Sequence, residues 1–181
     1  MRRVSKYILI FIISLILSIA VTSGQAPVFE VTPMTFNRPN SNDIAPVLIK
    51  NGIIFCSDRK ISSLKETTTF NDERLYKIFL VERKDTSGWT LPQMIRSNAN
   101  PALYYGPLCL ASDGKTVYFT SSILSGKASK KRNVTNPMGI FIGELSGTDI
   151  INVRPFEYNN PKYSVAQPSI SRDGKYLFFA S

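Results

Sequence analysis

Pro168-Ser169-Ile170-Ser171-Arg172-Asp173-Gly174-Lys175-Tyr176-Leu177-Phe178-Phe179-Ala180-Ser181 is the stretch on which the reading of the fold turns. Asp-Gly tolerates the positive φ of a tight turn, and Tyr176 to Phe179 supply bulky side chains suited to a pleated, half-buried surface, so the stretch predicts a β-hairpin. The same phrase occurs at Pro107-Leu108-Cys109-Leu110-Ala111-Ser112-Asp113-Gly114-Lys115-Thr116-Val117-Tyr118-Phe119-Thr120-Ser121. It occurs again, with a tighter Asn51-Gly52 turn, from Pro46 to Ser57. The step from Pro46 to Pro107 and from Pro107 to Pro168 is 61 residues each time.

A hairpin recurring at a fixed step is the sign of a repeat architecture, in which a unit stacks on its neighbours to bury an apolar face. The second half of each unit recurs as well. Leu75 to Glu82 predicts a strand, the polar run Arg83 to Gly88 turns the chain, and Trp89 to Ile95 predicts an outer strand whose Pro92 suits a sheet edge. Met138 to Leu145, Ser146 to Asp149 and Ile150 to Arg154 repeat that order, and Ile78-Phe79 and Ile140-Phe141 lie 62 apart. One unit is therefore two hairpins joined by a variable loop. Even the connections repeat, with Asn100-Pro101 and Asn160-Pro161 offset by 60. No amphipathic helical period follows residue 24.

The Pro-Ser-Ile-Ser-Arg-Asp-Gly-Lys-Tyr-Leu-Phe-Phe-Ala-Ser phrase resembles the signature of the TolB-type, WD40-like β-propeller repeat, over Asp43 to Ser181. The resemblance implies an all-β fold of four-stranded antiparallel blades, about two and a half of them, in an incomplete ring. The repeat-motif positions are Pro46, Gly52 and Phe55; Pro107, Asp113, Gly114 and Phe119; and Pro168, Asp173, Gly174 and Phe179. Ser57-Asp58-Arg59 keeps the Ser-Asp-Arg ending of such repeats, and Ser121-Ser122 loses it. Propellers usually close with about 4 to 8 blades. The expectation is a fragment of a longer protein, or blades with open edges.

The N-terminus carries Arg2, Arg3 and Lys6, then an apolar run from Tyr7 to Val21 and the small residues Thr22 and Gly24, a secretory signal pattern. The run has 15 residues, shorter than the roughly 20 that span a bilayer comfortably. Residues 1–24 read as a signal peptide, 25–42 as an extended, proline-punctuated lead-in and 43–181 as the repeats. An uncleaved anchor is the alternative, and membrane contact is expected only through that segment. Cleavage removes three cations and no acid, taking the formal charge from +9 to +6.

Histidine is absent, which excludes a Ser-His-Asp or Cys-His site within the chain and removes the commonest zinc ligand. Asp113 and Asp173 each precede a turn glycine, where a short acid caps its own backbone. Neither a phosphate loop nor a cofactor motif is present, and no catalytic, cofactor or metal residue is assigned. Cys56 and Cys109 occupy non-matching repeat positions and read as small apolar strand residues with free thiols; a disulfide is the alternative in an oxidising compartment. Lys127, Lys130, Lys131 and Arg132 form the densest basic run. In an exported chain it would face an anionic envelope polymer, a lipid headgroup or an acidic protein rather than nucleic acid; a solvated loop is the plainer alternative.

By resemblance, the chain is expected to be a non-enzymatic binding or scaffolding module, periplasmic or outer-membrane-associated, with an envelope protein or peptidoglycan-associated partner. Two rivals remain. One is the propeller of a prolyl-oligopeptidase-like serine peptidase, whose Gly-x-Ser-x-Gly elbow is missing here. The other is an extracellular glycan- or ligand-sensing module.

Overall fold

The computed structural model of the chain describes residues 29–61, 74–85, 88–97, 105–123 and 137–181. The N-terminal segment, most of the Lys60–Arg74 loop and the basic run at Lys127 to Arg132 lie outside them. The chain divides into two units, Met1–Pro33 and Met34–Ser181. Of the first, Phe29 to Pro33 is irregular and exposed. The second holds every sheet among the described residues.

The described residues are all β, with no helix among them. In the first sheet, β1 (Asp43–Ile49), β2 (Gly52–Ser57) and β3 (Lys77–Lys84) form an antiparallel meander. Its fourth place is shared by β4 (Gly88–Trp89) and β5 (Gln93–Met94), both paired with β3. In the second, β7 (Tyr105–Leu110), β8 (Thr116–Ser122), β9 (Met138–Ser146) and β10 (Asp149–Pro155) repeat the meander. The third is the hairpin β11 (Ala166–Ile170) and β12 (Leu177–Ala180).

Two elements differ from the sequence reading. The strand expected from Leu75 starts at Lys77, and the outer strand expected over Trp89 to Ile95 is broken by Pro92 into two-residue pieces. The last piece, β6 (Arg96–Ser97), leaves the first sheet and pairs in parallel with β10, Arg96 opposite Asp149. Pro92 has no ladder donor and lies in the gap between β4 and β5, where the edge pairing with β3 is interrupted.

The repeat is visible in backbone geometry. Each first hairpin has a register shift, between Ile44 and Val47, Tyr105 and Leu108, and Ala166 and Ser169. Each shift contains a residue of positive φ just before the repeat proline: Ala45 (51°), Gly106 (96°) and Gln167 (57°). These three are 61 apart in succession. A bulge is where a strand tolerates proline, because the extra residue is left out of the ladder.

Packing follows the alternation of the strands. Ile54, Cys56, Ile78 and Leu80 on one face of the first sheet meet Leu108, Val117 and Phe119 of the second in one buried cluster. On the opposite face, Phe55, Phe79 and Val81 are covered by Phe36 and Trp89. Phe36 stacks on Phe55 at 5.3 Å and meets Trp89 edge-on at 5.7 Å, so part of the proline-punctuated lead-in closes the first core. The third hairpin lies on the second sheet through β11, where the Gln167 amide donates to Thr120 Oγ1 at 3.0 Å.

Candidate functional site

The repeat-motif residues play local structural roles. Pro46, Pro107 and Pro168 follow the bulge residues. Asp113 Oδ1 accepts from the amides of Lys115 and Thr116 at 2.8 Å each, and Oδ2 from the Thr116 hydroxyl. The Thr116 hydroxyl and these amides hold its carboxyl below the ordinary value. Asp173 accepts from Ser171 Oγ at 2.6 Å and from the Lys175 amide, and its carboxyl is lowered for the same reasons. Gly114 and Gly174 follow with φ of 67° and 72°. Each carboxylate serves its own turn, so the structure assembles no acid pair from them. Gly52 passes so close to Val81 O that a Cβ would overlap it.

The Ser57-Asp58-Arg59 ending builds a buried polar knot. Arg59 Nη2 donates to Asp43 Oδ1 at 2.8 Å, and its guanidinium lies 4.9 Å from the Phe55 ring centre and 5.2 Å from that of Phe79. Ser57 Oγ accepts from the Arg59 amide and Nε at 3.1 Å each. Burial alone would raise the Asp43 carboxyl, but hydrogen bonds from Ser57, Arg59 and Asn37, with the arginine charge, outweigh it and keep the value below 3.8. Asp58 accepts from the Asn42 amide at 2.7 Å, fastening the approach to β1. The Arg59 side chain is 3% exposed, so the knot belongs to the interior of the first repeat unit.

Both cysteines are free thiols. Burial pushes Cys56 up to about 12. It also raises Cys109, partly offset by a hydrogen bond with the Ile170 backbone. Neither is a poised nucleophile. No group of three metal-ligating side chains occurs among the described residues.

Among the described residues there is a recess of about 350 Å³ beside the third hairpin, lined by Glu157, Tyr158, Asn159, Asn160, Tyr163, Val165, Phe179 and Ser181. Asn159 holds one wall in place. Its Oδ1 accepts from the Ile140 amide at 2.8 Å and its Nδ2 donates to Ile140 O at 2.7 Å, tying the loop after β10 to β9 as a further strand would be tied. Phe156 reaches Phe179 edge-on at 5.6 Å and Tyr158 at 5.2 Å. Around the recess the third hairpin is apolar and open, with Tyr176 and Phe178 each 63% exposed.

In the sequence Phe179 reads as a packing residue, and Glu157–Tyr163 reads as a connection without a functional motif. The Asn-Pro-Tyr composition of that connection was the available signal. Compared with protein-family models, curated proteins and solved structures, the chain matches none.

Proposed function

We propose that the chain is part of an exported, non-catalytic β-propeller of the TolB-like type that binds or scaffolds a protein or peptidoglycan-associated partner in a bacterial cell envelope. The observation that carries the architecture is the bulge at Ala45, Gly106 and Gln167, one per 61 residues, each before a proline and each opening a hairpin. Two four-place antiparallel meanders followed by a third hairpin support reading each unit as a blade. The cationic and apolar N-terminus supports export, and the missing histidine argues against triad chemistry within these residues.

Expression of the tagged chain in a Gram-negative host, followed by cell fractionation and mass spectrometry of the mature N-terminus, tests the location. A product beginning at Gln25 in the periplasmic fraction is expected, and a cytoplasmic product retaining Met1 overturns export. Crosslinking in intact envelopes tests the role. Recovery of one reproducible envelope protein, or co-sedimentation with sacculi, is expected; hydrolysis of peptide or ester substrates abolished by a single substitution in the chain overturns the non-catalytic reading.

A further inference from the structure

The turn that leads toward β1 has a counterpart two repeats on. The Asn37 amide donates to Met34 O at 3.0 Å, and the Asn159 amide donates to Phe156 O at 3.1 Å. Met34 and Phe156 are 122 residues apart, as are Asn37 and Asn159, twice the step of 61. The residues before and within each turn agree as well. Val31-Thr32-Pro33-Met34-Thr35-Phe36-Asn37 and Val153-Arg154-Pro155-Phe156-Glu157-Tyr158-Asn159 share Val, Pro and Asn, and they set an apolar residue and an aromatic ring at the same places.

Ile95 stands one step of 61 from both Met34 and Phe156. Its amide donates to Ile78 O at 2.8 Å, as that of Phe156 donates to Ile140 O at 2.9 Å. Ile78 and Ile140 lie on β3 and β9, the third strands of their meanders, so this repeat position ties the outer strand to the third. The chain then passes to the next repeat unit, where Ser97 pairs with Ile150 of β10. Phe36 and Trp89, each 61 residues earlier, also meet, edge-on at 5.7 Å. Exit from a repeat unit is therefore the same in sequence, turn and onward contact at Met34 and at its later counterparts. One bond differs. The Met34 amide donates to Asn37 Oδ1 at 2.8 Å, whereas Asn159 Oδ1 accepts from Ile140 on the third strand.

We propose that residues 28–37 are the outer strand and exit turn of a further repeat unit, donated to a three-stranded antiparallel sheet built like β7 to β9. That sheet belongs to the same polypeptide, as sheet and outer strand do in both described meanders. Its third strand offers a carbonyl to the Met34 amide and an amide to Asn37 Oδ1, as Ile140 does for Phe156 and Asn159. The stretch before β1 is then repeat sequence rather than a linker, and a product beginning at Gln25 keeps all of it. The inference rests on the repeat and stands apart from the envelope reading, which concerns location and partner.

The test transplants the strand within the full chain, Val28 to Phe36 replacing Ile150 to Tyr158 with Asn159 kept. A control carries the same transplanted residues in scrambled order. Expected are a cooperative melt within about 10 °C of the unaltered chain and slow hydrogen exchange at the Ile140 amide, both lost in the control. Transplant and control behaving alike overturns the proposal. A concentration-dependent dimer of the unaltered chain, with exchange slowed at residues 29–34 only in the dimer, gives the strand to a second copy and overturns its assignment to the same polypeptide.

Discussion

Gly106 sits against the sulfur of Cys56, so close that a β-carbon at position 106 would overlap Sγ. The contact joins β7 of the second sheet to β2 of the first, and it coincides with a φ of 96°. Both steric room and backbone conformation therefore call for glycine.

Gly106→Ala is expected to destabilise the fold by about 2 to 4 kcal/mol, combining left-handed strain with overpacking. In a double-mutant cycle, Cys56→Ala should recover part of that loss by removing the sulfur, leaving the backbone term. Urea melts of the four proteins check this, and strict additivity would show that the contact is not felt.

Cys56 should resist thiol reagents in the native state and react in denaturant, since its thiol is pushed up to about 12. A raised acid value means that folding favours the protonated thiol. The contribution is complete below the unfolded value near 9.0 and falls away as pH rises toward 12. The stability difference between the wild type and Cys56→Ala should shrink between pH 8 and pH 11, as read from chemical melts at several pH values.

Arg59→Ala should cost about 3 to 5 kcal/mol, the usual penalty for orphaning one member of a buried ion pair. The Asp43 carboxyl is held below its ordinary value, so its contribution is full above pH 3.8 and is lost as pH falls through the lower folded value. Asp43→Asn should therefore flatten the acid limb of the stability profile, which thermal melts between pH 2 and pH 6 measure.

Asp113→Ala should lower the melting temperature, and Asp113→Asn should lower it less, because an amide oxygen can still accept from Lys115 and Thr116. Equal losses would mean that the charge, rather than the acceptor geometry, holds the turn.

Much of this architecture was legible because hairpins announce themselves through turn residues and alternation. Asp-Gly and the Val117-Tyr118-Phe119 run place β7 and β8 almost residue for residue, and the step of 61 carries the reading to β11 and β12. The bulges were not legible, because Ala45 and Gln167 are residue types that seldom adopt positive φ. Only their positions before a proline, one repeat apart, betray them in hindsight. The Arg59 knot was hidden too. Arginine reads as surface until Asp43, sixteen residues earlier, is brought opposite Ser57. The recess was out of reach, since it depends on where the connection after β10 folds back, held by one asparagine on Ile140.

The bulges also predict where the chain tolerates a change of length. Ile44 already lies opposite Cys56 and Val47 opposite Ile54, with one residue too many on the β1 side. Deleting Ala45 would leave both pairings in place and set Pro46 opposite Phe55 on β1, the outer strand of its sheet, where a proline is tolerated. Deleting a residue from β2 instead would move every side chain beyond it to the other face, carrying Ser57 away from Asp43. Each repeat thus contains one joint that absorbs a residue gained or lost, set at the proline, while the aromatic strands beside it cannot change length without turning the core inside out.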